Sequence, residues 1–269
     1  MKDKPRLDTI LCERGFFPSR EQARAAIMAG EVLVDEVKAE KAGQSCSRQA
    51  QIRLTGRSLP YVSRGGLKLE RAIEAFMLDF TGKTVIDLGA STGGFTDCAL
   101  QHGAARVFAV DVGYGQLAWK LRQDERVTVL EKTNARYLNE SIIPVRADVI
   151  TADVSFISLS LALPAAIERL LKEQGEVLAL IKPQFEAGRS QVGKHGVVRD
   201  KTVHRQVLEQ ICETCRHWGL GLIALTHSPI TGPKGNIEYL LYAVKNTDWQ
   251  YVDLAVVVDT AWKELAETI

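Results

Sequence analysis

Along most of the chain, short apolar runs alternate with longer stretches whose apolar residues recur at helical spacing. From residue 61 onward the runs lie near 84–88, 106–111, 127–131, 148–153 and 176–181, each followed by a helical stretch. Near-continuous apolar runs of this length read as strands buried on both faces, and strand-helix alternation predicts a doubly wound, mostly parallel α/β sheet. Leu220 to Leu225 and Ile237 to Val244 add two further strands joined through a Pro- and Gly-rich loop. That connection is too short for a parallel crossover, so the final pair is expected to be antiparallel.

The first sixty residues follow a different pattern. Leu7, Ile10 and Leu11 precede Gly15; Ser19 opens a second helical run with Glu21 in its first turn and Ala23, Ala26 and Ile27 on one face; Gly30 stops it. Val32 to Val34 is a short strand, Asp35-Glu36 a turn, and Gln51 to Leu54 a closing strand. Pro60 and Gly65-Gly66 place a linker across Ser58 to Gly66. Two domains are expected, 1–60 and 61–269, and the second opens with a helical run from Leu67 to Leu78.

Composition narrows the class. The net charge is +1, but the first sixty residues hold eleven Lys and Arg against eight Asp and Glu, so the positive excess lies at the N-terminus. No apolar stretch approaches the ~20 residues of a membrane span, and Met-Lys-Asp-Lys-Pro-Arg is not followed by a signal-like apolar core. A cytoplasmic location is expected. Cys12, Cys46, Cys98, Cys212 and Cys215 form an odd set without framework spacing, which fits a reducing compartment. Cys212-x-x-Cys215, with His204 and His217 nearby, lacks a second pair and lies in one helical stretch, so no metal is expected.

The chemistry begins at Val85-Ile-Asp-Leu-Gly-Ala-Ser-Thr-Gly-Gly-Phe95, a strand that opens into a glycine-rich turn ahead of a helix. Such a turn brings the backbone close to a ligand at a helix N-terminus. Asp111 closes the next strand, 22 residues past Gly89, where an acid can take both ribose hydroxyls of an adenosine. Ser91 stands where a Gly-x-Gly-x-x-Gly fingerprint needs its second glycine, which weakens an NAD reading. Asp87 would suit the amine-bearing end of S-adenosylmethionine. The expected cofactor is therefore S-adenosylmethionine, held by Asp87, Gly89, Ser91, Thr92, Gly93, Gly94 and Asp111, with Asn134 at the adenine end.

Ligands of such sheets bind beyond the carboxyl edges of the strands. Asp153 and Lys182 end two strands there, Glu238 starts the last one, and Lys68 comes from the preceding helix. Taken singly, Lys68 and Glu238 read equally as solvated charges and Asp153 as a cap on a helix beginning near Ser155. Lys182 is less easily dismissed, because the apolar strand Val177 to Ile181 delivers it to the cofactor edge.

Two resemblances extend this reading. Arg6-Leu7-Asp8, Gly15, Ser19-Arg20, Ala23, Ile27, Gly30 and Val32-x-Val34 resemble the S4 RNA-binding domain, a small α+β unit. The resemblance implies RNA contacts through Arg6, Arg20, Arg24, Lys38 and Lys41, with Arg20 and Arg24 four apart on one helix face; a small helical cap on the larger domain is the plainer alternative. The Asp35-Glu36 turn departs from the neutral pair usual in that family and is expected to weaken local RNA contact. Lys68, Asp153, Lys182 and Glu238, in this order and on these elements, resemble the Lys-Asp-Lys-Glu tetrad of FtsJ-like ribose 2′-O-methyltransferases.

With Ser63-Arg64-Gly65-Gly66, Lys182-Pro-Gln-Phe-Glu186, Gly196-Val-Val-Arg-Asp200 and Gly232-Pro-Lys-Gly-Asn-Ile-Glu238, the whole chain is similar to the TlyA family, also called hemolysin A. That similarity implies a Rossmann-like class I methyltransferase sheet with an antiparallel last strand. It further implies catalysis by the tetrad, Arg64 as a further RNA contact, and methylation of the 2′-hydroxyl of cytidine in ribosomal RNA of one or both subunits. The rival readings are an RNA-binding module without catalysis and a membrane-acting hemolysin. The second leaves the cofactor loop without a role.

Overall fold

The computed structural model describes residues 5–17, 19–28, 30–55 and 59–265. They fall into two compact units, within 1–59 and 60–269.

In the first unit α1 (Leu7–Glu13) and α2 (Arg20–Met28) pack on a small antiparallel sheet of β1 (Val32–Val34), β2 (Val37–Lys38) and β3 (Ile52–Leu54), with β1 central. Leu7, Ile10, Leu11, Ala23, Ile27 and Val32 form its core. The Ser19 hydroxyl accepts from the Gln22 N–H at 3.3 Å and so satisfies one orphan donor at the start of α2. Asp35 and Glu36 both have positive φ, 50° and 62°, the pairing a two-residue hairpin needs to match strand twist.

The second unit is the expected α/β sheet. Its elements run α3 (Gly65–Phe76), β4 (Thr84–Leu88), α4 (Gly94–Gln101), β5 (Arg106–Val110), α5 (Trp119–Arg122), β6 (Val127–Leu130), β7 (Ala147–Ala152), α6 (Leu159–Ala162) and α7 (Pro164–Leu170). They continue with β8 (Leu171–Ile181), α8 (Pro183–Glu186), α9 (Lys201–His217), β9 (Leu220–His227), β10 (Tyr239–Lys245) and α10 (Leu254–Leu265). The strand order is β6-β5-β4-β7-β8-β10-β9. All neighbours up to β8 are parallel, and β10 inserts antiparallel between β8 and β9. Two apolar cores cover the two faces; Leu69, Ile73, Phe95 and Leu100 belong to one, Ile150, Ile167, Leu208 and Ile211 to the other.

Three boundaries differ from the sequence reading. Gly65 and Gly66 are not linker residues; they begin α3, and residues 56–58 lie outside the described ones. A Cβ at Gly66 would stand 2.3 Å from the Tyr61 ring, and one at Gly94 on α4 would stand 2.8 Å from the Gly66 nitrogen. Glu238 lies one residue ahead of β10 rather than in it, and β8 begins at Leu171, well before the expected 176.

Candidate active site

Strand order reverses at β4, which pairs with β5 on one side and β7 on the other. Connections leave in opposite directions there, so a crevice opens beyond the carboxyl ends of β4 and β7. Gly89 enters it with φ +81°, and a Cβ at this position would stand 2.7 Å from the Asp153 carbonyl oxygen. Only glycine allows both the left-handed backbone and that approach.

The turn is held from below and from the side. The N–H groups of Gly89 and Ala90 both donate to the Val110 carbonyl, at 2.9 and 3.1 Å. Ser91 also adopts positive φ, 48°. Its N–H donates to Asp111 Oδ2 at 2.7 Å while the Gly113 N–H donates to Oδ1 at 2.7 Å. Asp111 therefore clamps the loop after β4 to the loop after β5. A cleft of about 370 Å³ opens beside this clamp, lined by Gly89, Ser91, Asp111, Asn134, Asp153 and Phe156 among others. Asn134 also caps the short turn after it, its side chain accepting from the Arg136 N–H at 3.0 Å.

A second cleft, of about 480 Å³, contains Thr92, Gly94 and all four tetrad candidates, and shares Gly89, Ser91, Asp153 and Ser155 with the first. Lys182 Nζ lies 2.6 Å from Asp153 Oδ1, Asp153 Oδ2 lies 3.7 Å from Lys68 Nζ, and Lys68 Nζ lies 2.7 Å from Glu238 Oε2. The charges alternate along this row and sum to zero. Such alternation tolerates the depth at which Lys68, Lys182 and Glu238 sit, 8, 7 and 0 % exposed. None of the three is a solvated surface charge. Nor does Asp153 cap a helix: α6 starts at Leu159 and is capped by Ser158.

Beside its ion pair with Asp153, Lys182 donates one N–H to Ser155 Oγ at 2.8 Å. Ser155 and Gln184, which donates to Glu238 Oε1 at 3.3 Å, escaped the sequence reading. So did Phe156, a non-glycine residue at φ 64° whose ring is 91 % exposed and tilted against Phe185 at 5.1 Å. For Ser155 the one sequence signal was its position two residues past a strand-ending acid.

Asp87 lines neither of these two clefts. It is 1 % exposed beneath the loop, and its two oxygens accept the Thr96 and Thr151 hydroxyls at 2.6 and 2.9 Å. It ties β4 to α4 and β7. Gly93 also lines neither cleft; with φ +95° it forms the left-handed entry to α4. Burial, reinforced by the nearby Asp153 charge, raises the Asp87 carboxyl from 3.8 to about 6 against the pull of the two hydroxyls. Between those values the folded state holds a proton that the unfolded chain has released, so stability falls as pH rises through this window. Asp87→Asn keeps the shape and removes the cost of charging. Thermal unfolding across pH 4 to 8 should show the variant gaining on the wild type as pH rises, by about 3 kcal/mol at most, with cofactor affinity little changed. A collapse of that affinity with normal stability would return Asp87 to the ligand.

In the first unit the cationic candidates divide. Arg6 makes a paired contact with the buried Asp8 carboxylate, 3.0 and 2.8 Å, and Arg20 joins it at 3.2 Å. Hydrogen bonding to Arg6, opposed by burial and assisted by Arg20, holds that carboxyl well below the usual range. Arg6 and Arg20 thus have a structural partner, whereas Arg24, Lys38 and Lys41 are exposed with no acid partner among the described residues. The acids of the hairpin turn point to neighbours: Glu36 pairs with Arg53 at 2.5 Å and Asp35 accepts from the Gln51 N–H at 2.8 Å. In the second unit Arg64 stands exposed on the rim of the tetrad cleft and donates to the Thr231 carbonyl at 3.2 Å. Cys212 and Cys215 are buried on α9, and burial pushes their thiols up to about 11 and 12.

A parallel sheet reversing at β4, an antiparallel strand inserted next to the edge, and a charged row facing a glycine-lined crevice describe a methyltransferase-type fold. The chain belongs to the FtsJ-like methyltransferase family, whose model matches residues 61–245, and an S4 domain matches residues 5–52. It is 43 % identical to TlyA of Mycobacterium tuberculosis, named a 16S/23S rRNA (cytidine-2'-O)-methyltransferase, over 92 % of each chain. It is 51 % identical to YqxC of Bacillus subtilis, provisionally named an rRNA methyltransferase, over 89 % of this chain and 85 % of that one. A solved structure from Streptococcus thermophilus, provisionally called a hemolysin, is 43 % identical and superposes with a TM-score of 0.80 over 99 % of both chains. The cofactor of the family reading is S-adenosylmethionine, as expected from the loop. Among the described residues no helix is long and apolar enough to cross a membrane.

Proposed function

We propose that this protein transfers a methyl group from S-adenosylmethionine to the 2′-hydroxyl of a cytidine ribose in ribosomal RNA. The observation that carries the reading is the sharing of Gly89, Ser91, Asp153 and Ser155 by the two clefts, which puts a cofactor-type crevice and a buried Lys-Asp-Lys-Glu row against one another. The fit to the cofactor rests on the Gly89 approach, which a Cβ would fill, and on the mixed lining of the first cleft, where Asp111 and Asn134 stand among Val112, Phe156 and Ile157. Asp111 and Asn134 would hold the adenosine end, and the Gly89 to Thr92 turn the other. S-adenosylmethionine supplies an electrophilic sulfonium methyl when bound.

A ribose hydroxyl is a weak nucleophile, so the protein must aim its oxygen and stabilise the charge that develops there. Lys182 is the group placed to do both. The Asp153 carboxylate holds the ammonium in an ion pair at 2.6 Å and the Ser155 hydroxyl accepts one N–H at 2.8 Å, which leaves a donor for the substrate oxygen. Lys68 and Glu238 close the row behind Asp153 and fix its position. In this role Lys182 orients the hydroxyl as an ammonium; as the new O–CH3 bond forms and the methyl–sulfur bond breaks, the hydroxyl proton passes to solvent water. The S4 domain and the exposed cations of the first unit support RNA as the substrate class, and the ribosome as substrate makes the cytoplasm the place of action.

The test incubates the purified chain with methyl-labelled S-adenosylmethionine and separate small and large ribosomal subunits from cells lacking the gene, then maps ribose methyls. Label on the 2′-oxygen of a cytidine is expected. Label on a base, or none despite cofactor binding, would overturn the reading.

A further inference from the structure

Several cations of the second unit are neutralised by ion pairs. Lys83 pairs with Glu176, Lys120 with Asp97, Arg126 with Asp124, Lys172 with Asp148 and Arg205 with Glu209. The segment between α8 and α9 gathers three that are not. Arg189, Lys194 and Arg199 are all exposed and make no ion pair among the described residues. The acids at the two ends of this segment are occupied elsewhere. Glu186 accepts from the Ser158 hydroxyl at 2.6 Å and the Leu159 N–H at 2.8 Å, and Asp200 caps α9 by accepting from the Thr202 N–H at 2.8 Å.

The segment is also built, not loose. Asn236 fastens it, donating to the Gly196 carbonyl at 2.9 Å and accepting from the Val198 N–H at 3.3 Å. The buried His204 contacts the Val198 carbonyl at 3.0 Å, and the Gly193 N–H donates to Val197 at 3.0 Å. Asn236 stands two residues before Glu238 of the tetrad, so the segment is fixed to the same loop that carries a member of the charged row.

Two hollows lie along the segment, and the nearer one adjoins the cofactor crevice. A hollow of about 860 Å³ shares Phe156 and Ile157 with that crevice and ends on Arg189 and Val192. A further hollow of about 450 Å³ begins at Gln191 and Gly193 and contains Lys194 and Arg199. Three unneutralised cations on a fixed loop, at intervals along a track that starts at the reaction site, match a chain of regularly spaced anions.

We infer that the 188–200 segment is a phosphate track that holds the RNA backbone flanking the target nucleotide, with Arg189, Lys194 and Arg199 as its contacts. This inference rests on the RNA methyltransferase reading above. Lys and Arg contacts to phosphate release counterions, so each one contributes a measurable part of the salt dependence of binding.

The test compares the full chain with Arg189→Ala/Lys194→Ala/Arg199→Ala and with the matching triple Gln variant. Binding to a naked ribosomal RNA fragment and to intact subunits is measured from low to moderate salt, beside steady-state methylation. Both variants should keep the wild-type thermal midpoint and affinity for S-adenosylmethionine. The slope of log K against log salt should fall by about two units in magnitude, the Kd and KM rise roughly ten- to a hundredfold at low salt, and kcat stay within about twofold. An unchanged slope and KM would overturn the track. Loss confined to intact subunits, with naked RNA bound as before, would also overturn it and make the partner an acidic ribosomal protein. If the wild type binds RNA with the expected slope but methylates none, the functional reading fails while the slope still decides the track.

Discussion

Lys182→Ala is expected to lower methyl transfer by roughly 10²- to 10⁴-fold while affinity for RNA and for S-adenosylmethionine changes little. The expectation follows from where Lys182 is tied. Asp153 and Ser155, which line both clefts, hold it at 2.6 and 2.8 Å with 7 % exposure, so a remaining donor serves the reaction rather than assembly. Lys182→Arg separates the two ways it can act. Arginine keeps the charge and cannot lose its proton under working conditions, but its planar fork does not reproduce three tetrahedral donors. Activity surviving at a few per cent or more in the Arg variant supports orientation of the hydroxyl by a cation. A variant as dead as Lys182→Ala, with normal folding and binding, favours proton acceptance by a neutral amine. Full activity in Lys182→Ala would remove the residue from the chemistry.

The sequence exposed the tetrad because parallel sheets deliver strand-ending residues to one edge, whatever their distance along the chain. Asp153 and Lys182 followed apolar runs directly, and the antiparallel register that pairs Tyr239 with Ile181 brings Glu238 beside Lys182. What stayed hidden depended on partners that no local pattern specifies. Asp87 looks like a ligand residue until Thr96 and Thr151 are seen to take both its oxygens. Gly65-Gly66 reads as punctuation, yet a Cβ at Gly66 would meet the Tyr61 ring at 2.3 Å, and α3 approaches α4 closely because Gly94, 28 residues on, has no Cβ. Arg20 shares a helix face with Arg24, but the buried Asp8 claims one and leaves the other exposed. Ser155 and Gln184 are ordinary polar residues in sequence, and only the folded site gives them Lys182 and Glu238 as partners.

Gly89→Ala should disable both halves of the site at once. The position combines φ +81° with a Cβ that would stand 2.7 Å from the Asp153 carbonyl oxygen. The backbone conformation alone costs an alanine about 1 kcal/mol or more. The contact is with main chain, which cannot swing aside as a side chain would, so the turn or the start of the loop after β7 must shift. The turn carries the Ser91 N–H that Asp111 holds at 2.7 Å, and the loop carries Asp153 and Ser155, which hold Lys182. The variant is therefore expected to bind S-adenosylmethionine at least tenfold more weakly by calorimetry. Even at saturating cofactor it should lose most methyl transfer, because a displacement on the order of 1 Å in the groups that aim the hydroxyl is enough to cost about a hundredfold. If Gly89→Ala binds the cofactor normally and turns over at the wild-type rate, the crevice beyond β4 is not the cofactor site.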